Sequence, residues 1–168
     1  MAKVLIVMGS DSDLEIMKPA ADLLTSFNVP YEIHISSAHR TPHETISLAE
    51  KAEGDGTKVI IAGAGGAAHL PGIIAGCTIL PVIGVPIKTS TLSGLDSLYA
   101  IVQMPSGIPV ATVAINGSTN AALLALEMMA LSDVDLKAKL LAYRQRMAAQ
   151  VMDKDARLQK VGVEGYLK

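Results

Sequence analysis

His39 and Arg40 stand side by side in Ser36-Ser37-Ala38-His39-Arg40-Thr41-Pro42, a pairing suited to chemistry on an anionic molecule. A histidine exchanges a proton near neutral pH, and an arginine presents a planar fork that fits phosphate or carboxylate. Thr41, Pro42 and Glu44 read as an N-cap, a proline in the first helical turn and a capping-box glutamate, so a helix starts just after Arg40. Before the pair, the alternation of Tyr31-Glu32-Ile33-His34-Ile35 predicts a strand. His39 and Arg40 therefore fall on a loop between the carboxyl end of a strand and the amino end of a helix. Free N–H groups and the helix dipole favour an anion at such a place. Local sequence is equally compatible with a turn histidine beside a solvated surface charge.

Two further loops have the same setting. Lys3 to Met8 is a continuous apolar, β-branched run, as expected of a strand buried on both faces, and Gly9-Ser10-Asp11-Ser12-Asp13 follows it. Leu14, Met17, Ala21 and Leu24 then recur at helical spacing as far as Asn28, and Ser12 with Glu15 forms a second capping box. Ser10, Ser12 and Asp13 are thus either ligand contacts or the cap of that helix. Their spacing lacks the glycine and distant glutamate of a calcium loop, and no Gly-Lys-Ser/Thr marks a P-loop. The third loop, Gly63 to Gly72, follows the strand Lys58 to Ala62. Gly63, Gly65 and Ala68 formally satisfy the dinucleotide pattern, but no Asp or Glu stands about 20 residues on to hold a ribose, the first being Asp96. That match is rejected. The glycines and small side chains still let a ligand approach the backbone closely. His69 in this loop is either a ligand contact or a helix-cap histidine.

These loops need a frame of strands and helices. Leu80 to Pro86 reads as a fourth strand, Leu92 to Val102 as a loop turning into a short helix, and Val110 to Ile115 as a fifth strand. A nearly all-apolar helix spans Asn120 to Leu131, and a last helix begins at Ser132 and Asp133 with the stripe Leu136, Leu140, Tyr143, Met147, Val151. Four or five parallel strands alternating with helices predict an α/β fold, a doubly wound parallel sheet with helices on both faces. One domain is expected over 1–168, with the last dozen residues loosely ordered and the final helix in search of a partner surface. Three of the loops then share one edge of the sheet, the edge where open α/β sheets bind ligands. The residues converging there suggest a small phosphorylated molecule and a histidine acid/base, with no metal-ligand set.

Composition narrows the partners. The chain has 168 residues, 50% of them apolar, with a formal net charge of −2. No basic run with interleaved aromatics points to nucleic acid. No apolar stretch reaches the roughly 18 residues of a membrane span, and Met1-Ala2-Lys3 leads directly into a strand, so a cytoplasmic protein is expected. The single cysteine, Cys77, excludes an internal disulfide; it sits in the apolar segment Ile73 to Cys77, as a small core residue of a helix.

Four motifs taken together, Met8-Gly9-Ser10-Asp11-Ser12-Asp13, Ser37-Ala38-His39-Arg40-Thr41-Pro42, Ala62 to Gly72 and Leu92-Ser93-Gly94-Leu95-Asp96-Ser97-Leu98, resemble in order and spacing the PurE family of purine biosynthesis, from about Val4 to Leu126. Ile101 to Pro105 followed by Gly107 to Val110 resembles its class I branch, the N5-carboxyaminoimidazole ribonucleotide mutases. One departure is the turn Asn116 to Asn120, shorter than the glycine/alanine-rich turn common in the family. The resemblance implies a flavodoxin-like sheet, a homo-octamer built with the final helix, and isomerisation of a phosphorylated ribonucleotide without cofactor or metal. It places His39 as the catalytic acid/base and Arg40 and Ser37 on the 5′-phosphate. Ser10, Ser12 and Asp13 are implied to take phosphate and ribose hydroxyls, and Ala64, Gly65, His69 and Leu70 to line the base and carboxylate. A direct carboxylase using carbon dioxide is the nearest alternative; a non-catalytic nucleotide- or flavin-binding module is a more distant one.

Overall fold

The computed structural model describes residues 3–167. Two compact units are distinguished within them, one ending at Met129 and one beginning at Ala130.

The first unit alternates strand and helix: β1 (Lys3–Met8), α1 (Leu14–Ser26), β2 (Tyr31–Ile35), α2 (Pro42–Ala52), β3 (Thr57–Gly65), α3 (Leu70–Ala75), β4 (Val82–Ile87), α4 (Leu95–Val102), β5 (Ala111–Thr112) and α5 (Ser118–Met129). The five strands are parallel, in the order β2-β1-β3-β4-β5. Leaving β1, the chain winds outward to the edge strand β2 and then returns to place β3 on the other side of β1. The winding direction therefore reverses beside β1, and such a reversal opens a crevice beyond the strands' carboxyl ends.

Alternate residues of the strands face two helical layers, as the two-residue period demands. Leu5 and Val7 of β1 with Ile60, Ala62 and Ala64 of β3 join Ala49 and Ala52 of α2, Ile74 of α3 and Ile101 of α4 in one core. On the other face α1 packs against α5, and α5 rests on β3 and β4. Close approach depends on small residues: a Cβ at Gly63 of β3 would lie 2.5 Å from Met17 Sδ of α1. Gly63 is thus explained by helix packing, which removes the remaining appeal of the dinucleotide pattern.

Several local expectations change. Thr41 occupies the N-cap of α2 but makes no side-chain cap bond; its hydroxyl is engaged with Ser37. The Ser12–Glu15 capping box gives way to a 3-10 turn over Asp11–Asp13, capped by Ser10 Oγ accepting from the Ser12 amide at 3.4 Å. A short hydroxyl two residues earlier captures the amide first, and the α-helix begins only at Leu14. β3 runs on to Gly65, past the expected Ala62. The fifth strand shrinks to Ala111 and Thr112, which pair with Ile83 and Gly84. Cys77 lies past the end of α3, half-buried against the core rather than within the helix.

The second unit is dominated by α6 (Val134–Tyr166). Asp133 caps it, its carboxylate accepting from the Leu136 amide at 2.9 Å. Leu136 and Leu140 are buried, but Met147 and Val151 of the same stripe are 48% and 65% exposed. The helix runs to Tyr166, interrupted by a non-helical Gly162 at φ 68°; of the last dozen residues, Lys168 lies outside the described ones. Among the described residues, no helix is long and apolar enough to cross a membrane.

Candidate active site

Because β2 and β3 flank β1, the loops after these three strands meet around a cleft of about 440 Å³. Gly9, Ser10 and Asp13 come from the β1 loop, Ser37, Ala38, His39 and Arg40 from the β2 loop, and Ala64, Gly65, Ala68, His69 and Leu70 from the end of β3 and the start of α3. Ser12 does not line it; its hydroxyl instead supports Ser10 at 3.0 Å. Gly9, Ala38 and Ala68 line the cleft without having been singled out from the sequence. Gly9 begins a loop already placed at this edge, whereas Ala68 sits in the left-handed region at φ 48°, a conformation that nothing in its residue type announces.

The β2 loop is braced from within. Thr41 Oγ1 accepts from the Ser37 amide at 3.0 Å and donates to the Ser37 carbonyl at 3.1 Å. Beneath it the buried Ser36 and Thr45 hydroxyls pair at 2.7 Å. The Arg40 amide and Nε both donate to Ser37 Oγ, at 3.3 and 3.4 Å. Its NH2 nitrogen donates to the Gly9 carbonyl at 3.2 Å, tying the β2 loop to the β1 loop. These two side-chain bonds fix the plane of a guanidinium that carries five N–H donors. Such a fork, held at a helix amino end, is prepared for an anion before one arrives.

His39 and His69, 30 residues apart in sequence, meet across the cleft. His39 Nε2 and His69 Nδ1 are 2.7 Å apart, with the rings edge-on at 80° and centroids 4.9 Å apart. Asp13 adds a carboxyl whose pKa burial pushes above its ordinary value, against the opposing pull of hydrogen bonds from Ser10, Ser12 and Gly9. On the floor, Gly65 has little room for a larger residue, since a Cβ there would lie 3.2 Å from Thr89 Cγ2. The assembled groups are two hydrogen-bonded histidines, a cationic fork and a partly desolvated carboxyl around small apolar walls. Among the described residues, no three His, Cys, Asp or Glu side chains converge as a metal-binding group.

Comparison with known proteins points to one family. The chain is 61% identical to the N5-carboxyaminoimidazole ribonucleotide mutase of Pyrococcus horikoshii, covering 96% of this chain and 92% of that protein. It is 55% identical to the Thermotoga maritima protein of the same name, covering 99% of this chain and 98% of the relative. Phosphoribosylaminoimidazole carboxylase of Candida glabrata is 53% identical over 97% of this chain, but the match spans only 29% of that longer protein. Among solved structures, Treponema denticola PurE superposes with a TM-score of 0.87 at 31% identity, over 94% of this chain and 99% of that one. The profile of the AIR carboxylase family matches residues 3–150, and the chain belongs to that family.

Proposed function

We propose that this chain is an N5-carboxyaminoimidazole ribonucleotide mutase, an isomerase of purine biosynthesis that moves a carboxylate from an exocyclic nitrogen to ring carbon C4. The observation that carries the reading is its likeness, along nearly the full length of both partners, to mutases at 61% and 55% identity. The cleft supports it by supplying the needed proton transfer and anion binding. When the N–CO₂ bond breaks, its electron pair stays on the aminoimidazole nitrogen, and His39 gives that nitrogen its proton. Carbon dioxide remains beside the ring between the small walls of Ala64, Gly65 and Leu70. C4 then attacks it, the new C–C bond forms, and the C4 proton passes to His39, which ends as it began. Arg40 and Ser37 hold the 5′-phosphate, Ser10 and Asp13 take ribose hydroxyls with Ser12 behind them, and His69 and Leu70 face the base and carboxylate.

The carboxylase reading draws on the Candida glabrata relative, of which this chain spans less than a third. A flavin-binding reading lacks support in the cleft, since among the described residues no Phe, Tyr or Trp lines it. Incubation with the N5-carboxylated nucleotide, without ATP or bicarbonate, is expected to give the 4-carboxy isomer. Turnover only from aminoimidazole ribonucleotide and carbon dioxide would replace the mutase with the carboxylase.

The proposal extends to a cytoplasmic homo-octamer. Leu92 just before α4 and Leu95, Tyr99 and Val102 on it are each about half exposed or more, as are Leu141, Met147, Val151 and Met152 on α6. Apolar surface of this extent is seldom left to water, and closed symmetry covers it on every copy at once. Light scattering at micromolar concentration is expected to give an octamer mass; a monomer mass would overturn the assembly. Truncation after Ser132 is expected to give smaller, aggregation-prone species.

A further inference from the structure

We propose that His69 is a positioning residue for His39, fixing the tautomer and ring plane of the acid/base group before substrate arrives. The proposal rests on the mutase reading for its purpose but on the His39–His69 geometry for its content. Facing nitrogens 2.7 Å apart hold one proton between them, so one ring donates and the other accepts. Whichever ring donates, the bond between the facing nitrogens couples the tautomer of His39 to that of His69, and the edge-on contact at 80° sets the relative plane of the two rings. His39 needs such a partner because it is exposed on a loop, and the small residues around it offer no steric wall. Ala38 and Ala68, its buried neighbours in the cleft, end at Cβ.

The bond has a charge condition. It survives in the neutral pair and in the pair carrying one extra proton, but a second extra proton places hydrogens on both facing nitrogens and breaks it. The charged or titratable groups lining the same cleft are Asp13 from the β1 loop and Arg40 from the β2 loop; the β3 loop contributes His69 itself.

Imidazole ¹⁵N resonances of the unliganded full-length protein test this without reference to activity. Wild type is expected to show one dominant His39 tautomer. His69→Leu is expected to give an averaged His39 tautomer and a few-fold lower kcat. His69→Gln, whose amide can also donate or accept, is expected to restore both. Averaged His39 tautomers in wild type, or unchanged His39 resonances in folded His69→Leu, would overturn the pairing. Failure of the mutase reading would look different: the single His39 tautomer would persist while the N5-carboxylated nucleotide was not converted.

Discussion

Two cavities open at opposite ends of the same sheet, and the larger is the poorer candidate for chemistry. The one of about 810 Å³ lies at the amino ends of β4 and β5, where Val82 and Ala111 begin those strands, and its walls include Ile79, Leu80, Pro81, Ile108, Pro109 and Met128. Glu53 and Cys77 are its titratable groups, and burial pushes the Cys77 thiol pKa up, away from the reactive thiolate. At the carboxyl ends, the cleft of about 440 Å³ gathers two histidines, an arginine and a carboxyl. Volume follows from how helices leave gaps. Convergent polar groups follow from strand direction, because only the carboxyl edge collects loops that lead into helix amino ends.

The sharpest way to break this contrast is His39→Asn. The amide keeps size and polarity but cannot exchange a proton near neutral pH, so kcat is expected to fall at least about a hundredfold while nucleotide binding survives in calorimetry. Near-normal turnover by the folded variant would remove the acid/base role from this edge. Arg40→Lys replaces a fork by a point charge and loosens the tie to Gly9, and a rise in KM of roughly tenfold is expected. Unchanged nucleotide affinity would mean that the phosphate is held elsewhere.

Asp13→Asn is expected to have opposite effects on binding and stability. Folding raises the Asp13 pKa, so the folded chain binds that proton more tightly than the unfolded chain. The resulting stabilisation is complete below the unfolded pKa and is lost as pH rises through the raised folded value. At neutral pH the ionised group therefore opposes folding. The Asn variant should bind nucleotide a few-fold less tightly yet melt slightly higher at pH 7, with the gain disappearing toward acid. A lower melting temperature at pH 7 would contradict the assigned burial effect. The smallest effect belongs to the other cavity: Cys77→Ser is expected to leave turnover within about twofold. A tenfold loss there would erase the distinction between the two ends.

How much of this was legible beforehand depended on the range of the interaction. β1 and β2 stand where an apolar run and an alternation put them, but only for β1 does the pattern report burial, since Ile33 and Ile35 of β2 are exposed. β5 does not: of the apolar run expected to form it, only Ala111 and Thr112 pair with β4. Among short polar residues, Ser10 and Ser12 are equally good caps on paper, and only backbone geometry decides between them. Of the site residues expected from sequence, Ser12 alone falls outside the cleft lining. The contact between His39 and His69 nevertheless needed the strand order, since each loop alone contains one ordinary histidine.

Among the described residues β2 pairs only with β1, and Ile33 and Ile35 on it are 38% and 58% exposed. His39 and Arg40 follow directly from this least sheltered strand, while Gly9 and Gly65 end interior ones. Brief detachment of β2 would separate His39 from His69 and Arg40 from Gly9 without disturbing the pairing of β1, β3 and β4. Local openings of this kind require less free energy than global unfolding. On warming, activity should therefore disappear some degrees before the helical circular-dichroism signal, and the amides of β2 should exchange with deuterium ahead of those in β3.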